Sequence, residues 1–445
     1  MENLKTLSGN ITPVVITGIS HEGRGVAHIN GKITFIENAL PGETVLITYS
    51  KRRRSYDEAK SIQILNASVD RVQPQCPHYD NCGGCSLQHL SNQAQLHHKE
   101  KTLIDQLAHS AEFKNPKSSL LLPPITGRSW GYRRRARLGV KYVAKKQAVL
   151  VGFREKNGRY LAQLQTCKTL DPRVGQLLIP LQQLIHSLNA FQAIPQIEVA
   201  MGDEILGLVF RHLSPLDSSD QIQLKTFAKQ HQIQLYLQPG NENTIHCIWP
   251  EDPKLLSYCL ENRGYKSLEL LFEPKHFIQI NSDINQAMIQ RSMELLSPNF
   301  SDRILDLFCG LGNFSLPLAV RCQFVVGIEG CAELVEQAKA NAEHNSINNT
   351  QFYTADLSGS ILKEAWAQQT FNKILLDPPR SGALEIIQQV AHWNVERIVY
   401  VSCNPASLAR DAGALIKQGY NLQQAGIMDM FPQTHHSEAI CLFTK

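Results

Sequence analysis

The sequence lacks the long apolar runs that would carry a chain into or across a membrane. Nowhere do 18 apolar residues follow one another, and the first ten residues, MENLKTLSGN, contain no apolar stretch typical of an export signal. The chain also lacks any tract of biased composition, since 43% of its residues are hydrophobic and 19% are charged, as in folded globular proteins. These absences predict a cytoplasmic protein without membrane contact.

Disulfide bonds are not expected in such a protein. The chain has 11 cysteines, which is an odd number, and the cytoplasm keeps thiols reduced. The cysteines are therefore candidates for metal binding or for catalysis.

A small β-domain is predicted over residues 1–67. Short runs such as PVVITGIS, KITFIE and TVLITYS alternate between apolar and polar residues, and Asn30-Gly31 and Pro41-Gly42 separate them as hairpin and turn signals. This pattern predicts an antiparallel barrel of the OB type, whose basic segment KRRRSYDEAK lies where such barrels meet RNA. The stretch resembles a TRAM domain, which implies RNA binding.

Positive charge is concentrated in one segment of the chain. The whole chain has a net charge of +4, whereas Arg128–Lys156 alone contains ten Lys or Arg residues and one acid, a net charge of +9. Its arginines are interleaved with aromatic residues, as in proteins that hold single-stranded nucleic acid. A sheet edge protected by charge is the alternative interpretation. The candidate RNA-binding residues are Arg133, Arg134, Arg135 and Arg137.

Three cysteines are clustered in the stretch CPHYDNCGGC. Cys76, Cys82 and Cys85 have the spacing C-x5-C-x2-C, and the next cysteine along the chain is Cys167. Four thiolates can form a closed zinc site, but zinc sites usually contain two C-x2-C pairs. Three near ligands and one remote ligand fit a [4Fe-4S] cluster equally well. The spacing is not the C-x3-C-x2-C of radical enzymes, so we expect a structural [4Fe-4S] cluster, with zinc as the alternative.

The length of 445 residues exceeds one ordinary hydrophobic core, so two or three domains are expected. Strand-like runs indicate a β-rich central domain with the iron-sulfur site, over 68–90 and 126–268. The stretch LSNQAQLHHKEKTLIDQLAHSA has helical apolar spacing and is assigned to a third domain, over 91–125 and 269–445.

Strands and helices alternate regularly in this third domain. The predicted strands are RILDLFCGLGNF, FVVGIEG, TQFYTAD, NKILLDPPR and RIVYVSCNP, and the predicted helices include CAELVEQAKANAEHN and GALEIIQQVAHW. The pattern is that of a doubly wound, Rossmann-like α/β fold, in which ligands lie beyond the carboxyl ends of parallel strands. Cys403 directly follows the last of these predicted strands.

The ends of the first three strands suggest the ligand. Gly310 and Gly312 allow close backbone approach, but DLFCGLGNF is not the G-x-G-x-x-G of dinucleotide folds, so S-adenosylmethionine is favoured. Glu329 would accept hydrogen bonds from both ribose hydroxyls, and Asp356 would approach the adenine amine. Simple helix N-caps are the alternative interpretation of both acids.

The fourth strand ends in DPPR, which argues against two classes of methyltransferase. Enzymes that methylate base amino groups usually carry an aromatic residue after Asn/Asp-Pro-Pro, whereas Arg380 stands here. Cytosine-5 methylation of RNA usually places a cysteine after this proline, and none is present.

Four stretches together resemble the RNA uracil-5-methyltransferase family: DLFCGLGNFSLPLA, LLDPPRSG, VYVSCNP and FPQTHHSEA. The barrel and the four cysteines resemble its 23S ribosomal RNA branch. The resemblance implies Cys403 as nucleophile, Glu438 as base, S-adenosylmethionine as cofactor and, as substrate, the 23S uridine at position 1939. We also expect a monomer. The residues that the resemblance places around the cofactor are Gln279, Phe308, Asn313, Glu329, Asp356 and Asp377.

This chemistry requires an activated thiol. Carbon 5 of uracil cannot attack a sulfonium methyl until a thiolate has added at carbon 6, and a free cysteine is only a few per cent thiolate at pH 7. The helix that follows Cys403 is expected to lower the pKa of the thiol through its positive end, and Pro405 suits the first turn of that helix. Glu438 would then remove the carbon-5 proton so that the thiolate can leave.

Three other functions stay open. The chain could methylate a different uridine, at a second 23S site or in transfer RNA, or it could be a non-catalytic RNA-binding assembly factor that keeps the fold. Intact SCNP and DPPR motifs and Glu438 argue against the assembly factor. A methylthiolating enzyme also combines a TRAM domain with an iron-sulfur site, but it would need C-x3-C-x2-C.

Overall fold

The computed structural model describes residues 13–109, 120–156 and 158–445. The start of the predicted barrel, residues 1–12, and residues 110–119 of the predicted third domain lie outside these ranges. No helix within the described ranges has both the length and the apolarity needed to cross a bilayer.

The N-terminal sheet consists of β1 (Pro13–Val15), β2 (Gly18–Ile19), β3 (Gly25–Ile29), β4 (Lys32–Glu37), β5 (Thr44–Arg52) and β6 (Tyr56–Asn66). These strands pair in the order β1-β5-β6-β4-β3-β2. Asn30 and Gly31 join β3 to β4 with φ angles of 51° and 78°, the left-handed values of a two-residue hairpin turn. The predicted β-domain and its Asn-Gly turn are thus present, but β4 and β6 pair in parallel, whereas the pattern predicted an antiparallel barrel. Helix α1 (Asn92–His109) follows this domain.

The central sheet consists of β7 (Arg135–Val143), β8 (Ala148–Gly152), β9 (Gln196–Met201), β10 (Leu206–Arg211), β11 (Ile233–Gln238) and β12 (His246–Trp249). The strand order is β12-β11-β10-β9-β7-β8. Three helices accompany this sheet: α2 (Pro172–Gly175), α3 (Leu178–Ser187) and α4 (Ser218–His231). The prediction of a merely β-rich domain missed them, although Asp217 marks the start of α4 by accepting a hydrogen bond from the Asp220 N–H.

A separate hairpin, β13 (Leu256–Leu260) and β14 (Leu268–Phe272), follows the central sheet. Its buried residues, such as Tyr258 and Phe272, belong to the same hydrophobic core as helix residues of the C-terminal domain. The domain boundary predicted between residues 268 and 269 therefore falls inside a hairpin that packs on the C-terminal domain. The prediction failed there because strand composition alone does not show which core a hairpin joins.

The C-terminal sheet consists of β15 (Arg303–Leu307), β16 (Phe324–Glu329), β17 (Thr350–Thr354), β18 (Lys373–Leu376), β19 (Arg397–Ser402), β20 (Asn421–Met428) and β21 (Glu438–Thr444). The order is β17-β16-β15-β18-β19-β21-β20, with β15 to β19 parallel and β21 antiparallel to both of its neighbours. Its helices are α5 (Ser282–Leu296), α6 (Ser315–Ala319), α7 (Ala332–His344), α8 (Leu384–Ile387) and α9 (Pro405–Lys417). The predicted parallel α/β sheet is present.

Helix α1 completes this domain from far away in the sequence. It packs against α9 and β20, and Leu103 and Leu107 are buried in the core under the C-terminal sheet. The helix predicted over GALEIIQQVAHW is shorter than expected, because the chain forms only α8 and then a 3-10 turn over Val390–Trp393.

Candidate active site

One cavity of about 480 Å³ lies at the carboxyl edge of the parallel sheet. Strand ends, the turn after β15 and the segment before α5 all contribute to its wall. Of the eight residues predicted for catalysis and cofactor binding, the cavity brings together Gln279, Phe308, Asn313, Glu329, Asp377, Cys403 and Glu438.

Asp356 is the predicted residue that does not line this cavity. It follows β17 at the outer end of the sheet, is exposed, and accepts a hydrogen bond from the Ser358 N–H at 2.9 Å. Hydrogen bonds from the Ser358 side chain and from its N–H lower the pKa of Asp356. In this structure the Asp356 side chain therefore orders its own turn.

The turn after β15 brings backbone close to the cavity. Phe308, Gly310 and Gly312 have φ angles of 65°, 55° and 98°, so the chain bends through left-handed conformations there. A side chain at Gly310 would point into open space, so nothing in the described structure occupies the volume in front of this backbone. Glu329 holds the turn, because one of its carboxylate oxygens accepts a hydrogen bond from the Gly310 N–H at 3.1 Å.

Cys403 lies between the end of β19 and the start of α9. Asn404 caps α9 by accepting a hydrogen bond from the Ala406 N–H at 3.2 Å, and Pro405 is the first helical residue, as predicted. The Asn404 side chain also donates to the Arg380 carbonyl at 3.0 Å, which ties the DPPR turn to the cysteine. The thiol is thus held at the cavity wall by two neighbouring strand ends.

The expected lowering of the Cys403 pKa is wrong for this structure. Burial raises the pKa of the thiol, and the carboxylates of Glu438 and Asp377 raise it further, while Arg380 acts in the opposite direction. The helix end could be seen in the sequence, whereas the two carboxylates reach the thiol from β18 and β21 only after folding. Burial is the largest influence on the thiol, and the two carboxylates add to it.

Two carboxyl groups face the thiol. Burial raises the pKa of Glu438 to about 8, with a further contribution from Asp377, while Lys99 lowers it. Burial also raises the pKa of Asp377 to about 7. One carboxylate oxygen of Glu438 has no hydrogen-bond partner within the described part of the chain. A buried oxygen without a partner is available to take a proton from a bound molecule.

Tyr258 and Asn285 were missed by the sequence reasoning. The Tyr258 hydroxyl donates to the Asn313 side-chain oxygen at 2.9 Å, and Asn285 exchanges hydrogen bonds with the same amide at 3.0 and 2.9 Å. Asn313 is thereby held in one orientation at the cavity. No local motif marks these residues, because Tyr258 belongs to the β13–β14 hairpin and Asn285 to α5.

The four predicted RNA-binding arginines differ in their environments. Arg134 is buried and forms an ion pair with Asp203, and Arg135 donates hydrogen bonds to the Pro274 and His276 carbonyls. The Arg133 Nε donates to the Arg135 carbonyl at 3.0 Å. The guanidinium groups of Arg134 and Arg135 are therefore used inside the protein, and Arg133 is half-buried with its Nε already bonded. Arg137, in contrast, is exposed, and its guanidinium forms an ion pair with Glu198 at 3.0 Å on the surface.

The four predicted cluster cysteines, Cys76, Cys82, Cys85 and Cys167, line one small cavity. Burial raises the pKa of Cys85 to about 12, and the nearby thiols Cys167, Cys82 and Cys76 raise it further. The Gly84 N–H donates to the Cys82 sulfur at 3.4 Å. Over the residues that the structure describes, no group of three or more Cys, His, Asp or Glu is arranged to hold a single metal ion.

Comparisons with known proteins agree with this arrangement. Residues 261–445 match the tRNA (uracil-5-)-methyltransferase family model, and residues 5–60 match the TRAM domain. A 23S rRNA (uracil(1939)-C(5))-methyltransferase RlmD from Nitrosococcus oceani is 50% identical over 99% of this chain and 98% of its own length. A protein of the same name from Alkalilimnicola ehrlichii is 47% identical over 97% of this chain and 96% of its own length.

A solved structure shares the fold. The crystal structure of Pyrococcus abyssi tRNA (uracil-54, C5)-methyltransferase in complex with S-adenosyl-L-homocysteine superposes with a TM-score of 0.74 at 21% identity, over 97% of this chain and 100% of that one. From the TRAM barrel to the cavity around Cys403, the chain belongs to the RNA uracil-5-methyltransferase family.

Proposed function

We propose that this protein transfers a methyl group from S-adenosylmethionine to carbon 5 of a uridine in 23S ribosomal RNA, the uridine at position 1939 as in its named relatives. The observation that carries the proposal is the meeting of Cys403 and Glu438 in one cavity with the Gly310 turn and Glu329. We further propose a cytoplasmic monomer with a TRAM-like domain over 1–67, a central domain over 68–90 and 126 to about 255, and a methyltransferase domain from the remainder.

The cavity suits S-adenosylmethionine, which supplies an electrophilic methyl group when bound. Open space in front of Gly310 admits a ligand against the backbone, and Glu329 presents its carboxylate at the adjacent strand end. Gln279 reaches across to Asp377, with 3.5 Å between its side-chain nitrogen and the carboxylate oxygen. These residues would hold the cofactor, while Phe308 and Asn313 shape the pocket.

Cys403 would act on the uracil ring. Its sulfur adds to carbon 6, and the electrons of the carbon 5–carbon 6 double bond then make carbon 5 nucleophilic enough to accept the methyl group. The base must leave its stack to reach the thiol, at a cost of a few kcal/mol that is smallest in loops.

Glu438 would complete the reaction. After methyl transfer, its carboxylate takes the proton from carbon 5, the carbon–hydrogen electrons restore the ring double bond, and the carbon–sulfur pair returns to Cys403. A pKa of about 8 makes this group a stronger base than an ordinary carboxylate, and general-base catalysis is most efficient when the pKa lies near the working pH.

RNA would be held by exposed cations, and one groove of the central domain offers them. Five basic residues that line it define the basic groove: Arg137, Lys141, Lys146, Arg154 and Arg159. Exposed Tyr160 also lies in this groove and offers a ring on which a base can stack. The groove replaces Arg133, Arg134 and Arg135 as the proposed contact of the basic segment with phosphates.

We also propose a [4Fe-4S] cluster bound by Cys76, Cys82, Cys85 and Cys167. The support is that four thiols from two distant segments line one cavity. A tetrahedral zinc ion would draw its sulfurs to about 2.3 Å from one point. The spacing of three near cysteines and one remote cysteine suits the larger [4Fe-4S] cluster. A cluster there would join the 76–85 loop to the segment around Cys167 and supply structural stability.

The experiment that tests the function is direct. Purified protein is incubated with 23S RNA and S-adenosylmethionine, and the RNA is mapped by mass spectrometry. We expect one new 5-methyluridine, at position 1939. Methylation of another uridine would show that position 1939 is not the substrate. RNA binding without methylation would support a non-catalytic assembly factor.

A further inference from the structure

Glu438 follows a loop, the connection between β20 and β21, that forms no strand or helix. It is the first residue of β21 and pairs with Met428, the last residue of β20. Residues 429–437 between them form no strand or helix. The position of the base therefore depends on what holds this connection.

The loop of the cluster cysteines holds one end of the connection. The N–H groups of Ser86 and Leu87 both donate to the Gln433 carbonyl at 3.0 Å. The His435 N–H donates to the Ser86 hydroxyl oxygen at 2.9 Å, and the same hydroxyl lies 3.2 Å from the His435 ring nitrogen Nδ1. Ser86 directly follows Cys85, so these bonds connect the proposed cluster ligand to the residues just before Glu438.

Helix α1 holds the rest of the connection with two buried polar side chains. Gln95 donates to the Gln433 side-chain oxygen at 3.1 Å and accepts from the Gln433 N–H at 3.0 Å. Lys99 is fully buried and donates to Asp429 at 2.6 Å and to the Phe431 carbonyl at 3.0 Å. Buried amides and ammonium groups are costly unless their partners are in place, so these contacts strongly favour one conformation of the connection.

We propose that Ser86, Gln95 and Lys99 form a clamp that positions Glu438 for removal of the carbon-5 proton, and that this clamp links the cysteine loop to the release of the methylated RNA. The inference rests on the proposed function. The three residues are positioning residues, because they contact the connection and not the substrate.

Because Glu438 acts only in the last step, loss of the clamp should slow release of the RNA without slowing the earlier steps. Cys403 adds to carbon 6 and carbon 5 takes the methyl group before Glu438 acts. A misplaced Glu438 then leaves the carbon 5–hydrogen bond intact, so no electron pair returns to the ring and the carbon–sulfur bond persists. A clamp variant should therefore accumulate a covalent protein–RNA adduct on ordinary uridine, whereas general unfolding would reduce adduct and product together.

The test compares adduct decay in full-length variants. Ser86→Ala and Gln95→Ala should each slow the decay of the methylated adduct by about five-fold for each hydrogen bond lost, while adduct formation stays near the parent rate. Ser86→Thr keeps the hydroxyl and should restore decay. Gln106→Ala is the matched control for Gln95, because Gln106 is on the same helix but faces the groove beside α9. Parent-like decay in both Ala variants would overturn the clamp.

A second measurement is independent of activity. Amide hydrogen exchange of the peptide over 430–437 should quicken in Ser86→Ala and in Cys85→Ser, with peptides of β15 and β16 unchanged. Unchanged exchange in the 430–437 peptide would also overturn the proposal. If the parent protein forms no adduct with RNA that carries 5-fluorouridine, the proposed function itself fails, and that result is distinct from failure of the clamp alone.

Discussion

The charges of the active-site cavity are withheld from water, whereas those of the basic groove are exposed to it. In the cavity, burial raises the pKa of Asp377, Cys403 and Glu438, and Asp377 raises the pKa of the other two further. In the groove, residues such as Arg137 and Arg159 lie on the surface. The chemistry needs the buried environment, because a raised pKa makes the carboxylate a stronger base. Phosphate binding needs only exposed positive charge.

The difference teaches where substitutions should have large effects. A buried catalytic group acts on one atom of the substrate, and no other residue can replace it. An exposed cation is one of several that bind phosphates, so its loss removes only part of the binding. A single substitution should therefore greatly reduce activity in the cavity but only slightly weaken RNA binding in the groove. The following experiments test that contrast, beginning with the largest effect.

Replacement of Cys403 should abolish methylation. Cys403→Ala removes the sulfur that activates carbon 5, and loss of a nucleophile costs about 10⁴-fold or more in turnover. Methyl transfer to 23S RNA from labelled S-adenosylmethionine measures this. Cys259→Ala is the matched control, since Cys259 is exposed on the β13–β14 hairpin and should keep the parent rate. Residual turnover of Cys403→Ala within ten-fold of the parent would remove the thiol from the mechanism.

Loss of the proposed cluster should destabilise the protein. We expect brown protein after anaerobic purification, and Cys85→Ser should lose both the colour and the iron. Its thermal midpoint should fall by several degrees, because about 1 kcal/mol shifts a domain of this size by about 2–4 °C. Iron content and thermal unfolding are the measurements. Stoichiometric zinc without iron in the parent would contradict the assignment.

The buried carboxyl of Glu438 should make stability depend on pH. Its folded pKa is raised from 4.5 to about 8, so its contribution is fully present below about pH 4.5 and is lost as the pH rises through about 8. Glu438→Gln cannot ionise, so its free energy of unfolding should exceed that of the parent increasingly over this window. The expected gain at pH 8 relative to pH 5 is at least about 1.4 kcal/mol, the equivalent of one pKa unit.

Denaturant unfolding of the parent and of Glu438→Gln at several pH values measures this effect. A difference that does not grow with pH would mean that Glu438 is already ionised in the folded protein. The same variant should lose about 10²–10⁴-fold in turnover, as expected for a general base.

Two residues of β7 sharpen the contrast within one strand. Arg135→Ala removes a guanidinium that donates to backbone carbonyls, so it should lower the free energy of unfolding by about 1–3 kcal/mol. Arg137→Ala should leave stability nearly unchanged and reduce the salt slope of single-stranded RNA binding by about 0.7. Binding titrations over a salt series, together with denaturant unfolding, separate the two. Equal salt slopes for Arg137→Ala and the parent would exclude Arg137 from phosphate contact.

The parts of the site that could be predicted from the sequence are those formed by short, contiguous stretches of the chain. A strand followed by Cys403, Asn404 and Pro405 can form only a strand end and a helix start, and the DPPR turn is equally local. Glu438 could be named through the family resemblance. Asp356 followed from the same pattern but does not line the cavity, because a position at a strand end does not fix which way a side chain turns.

What depends on distant segments could not be predicted. The charge count of Arg128–Lys156 does not reveal that Arg135 faces carbonyls while Arg137 faces solvent. The direction of the Cys403 pKa is set by carboxylates from two other strands. Likewise, Lys99 meets Asp429 only because α1 folds against β20, far along the chain.

The most direct test of the account is the fate of the bond between Cys403 and uracil. RNA with 5-fluorouridine at the target position has no removable proton at carbon 5, so methylation can proceed while release cannot. With S-adenosylmethionine present, the parent protein should form a denaturation-resistant adduct that mass spectrometry maps to Cys403. Glu438→Gln should form the same adduct on ordinary uridine RNA, and Cys403→Ala should form none on either RNA. An adduct that persists in Cys403→Ala would place the nucleophile at another thiol and contradict the account.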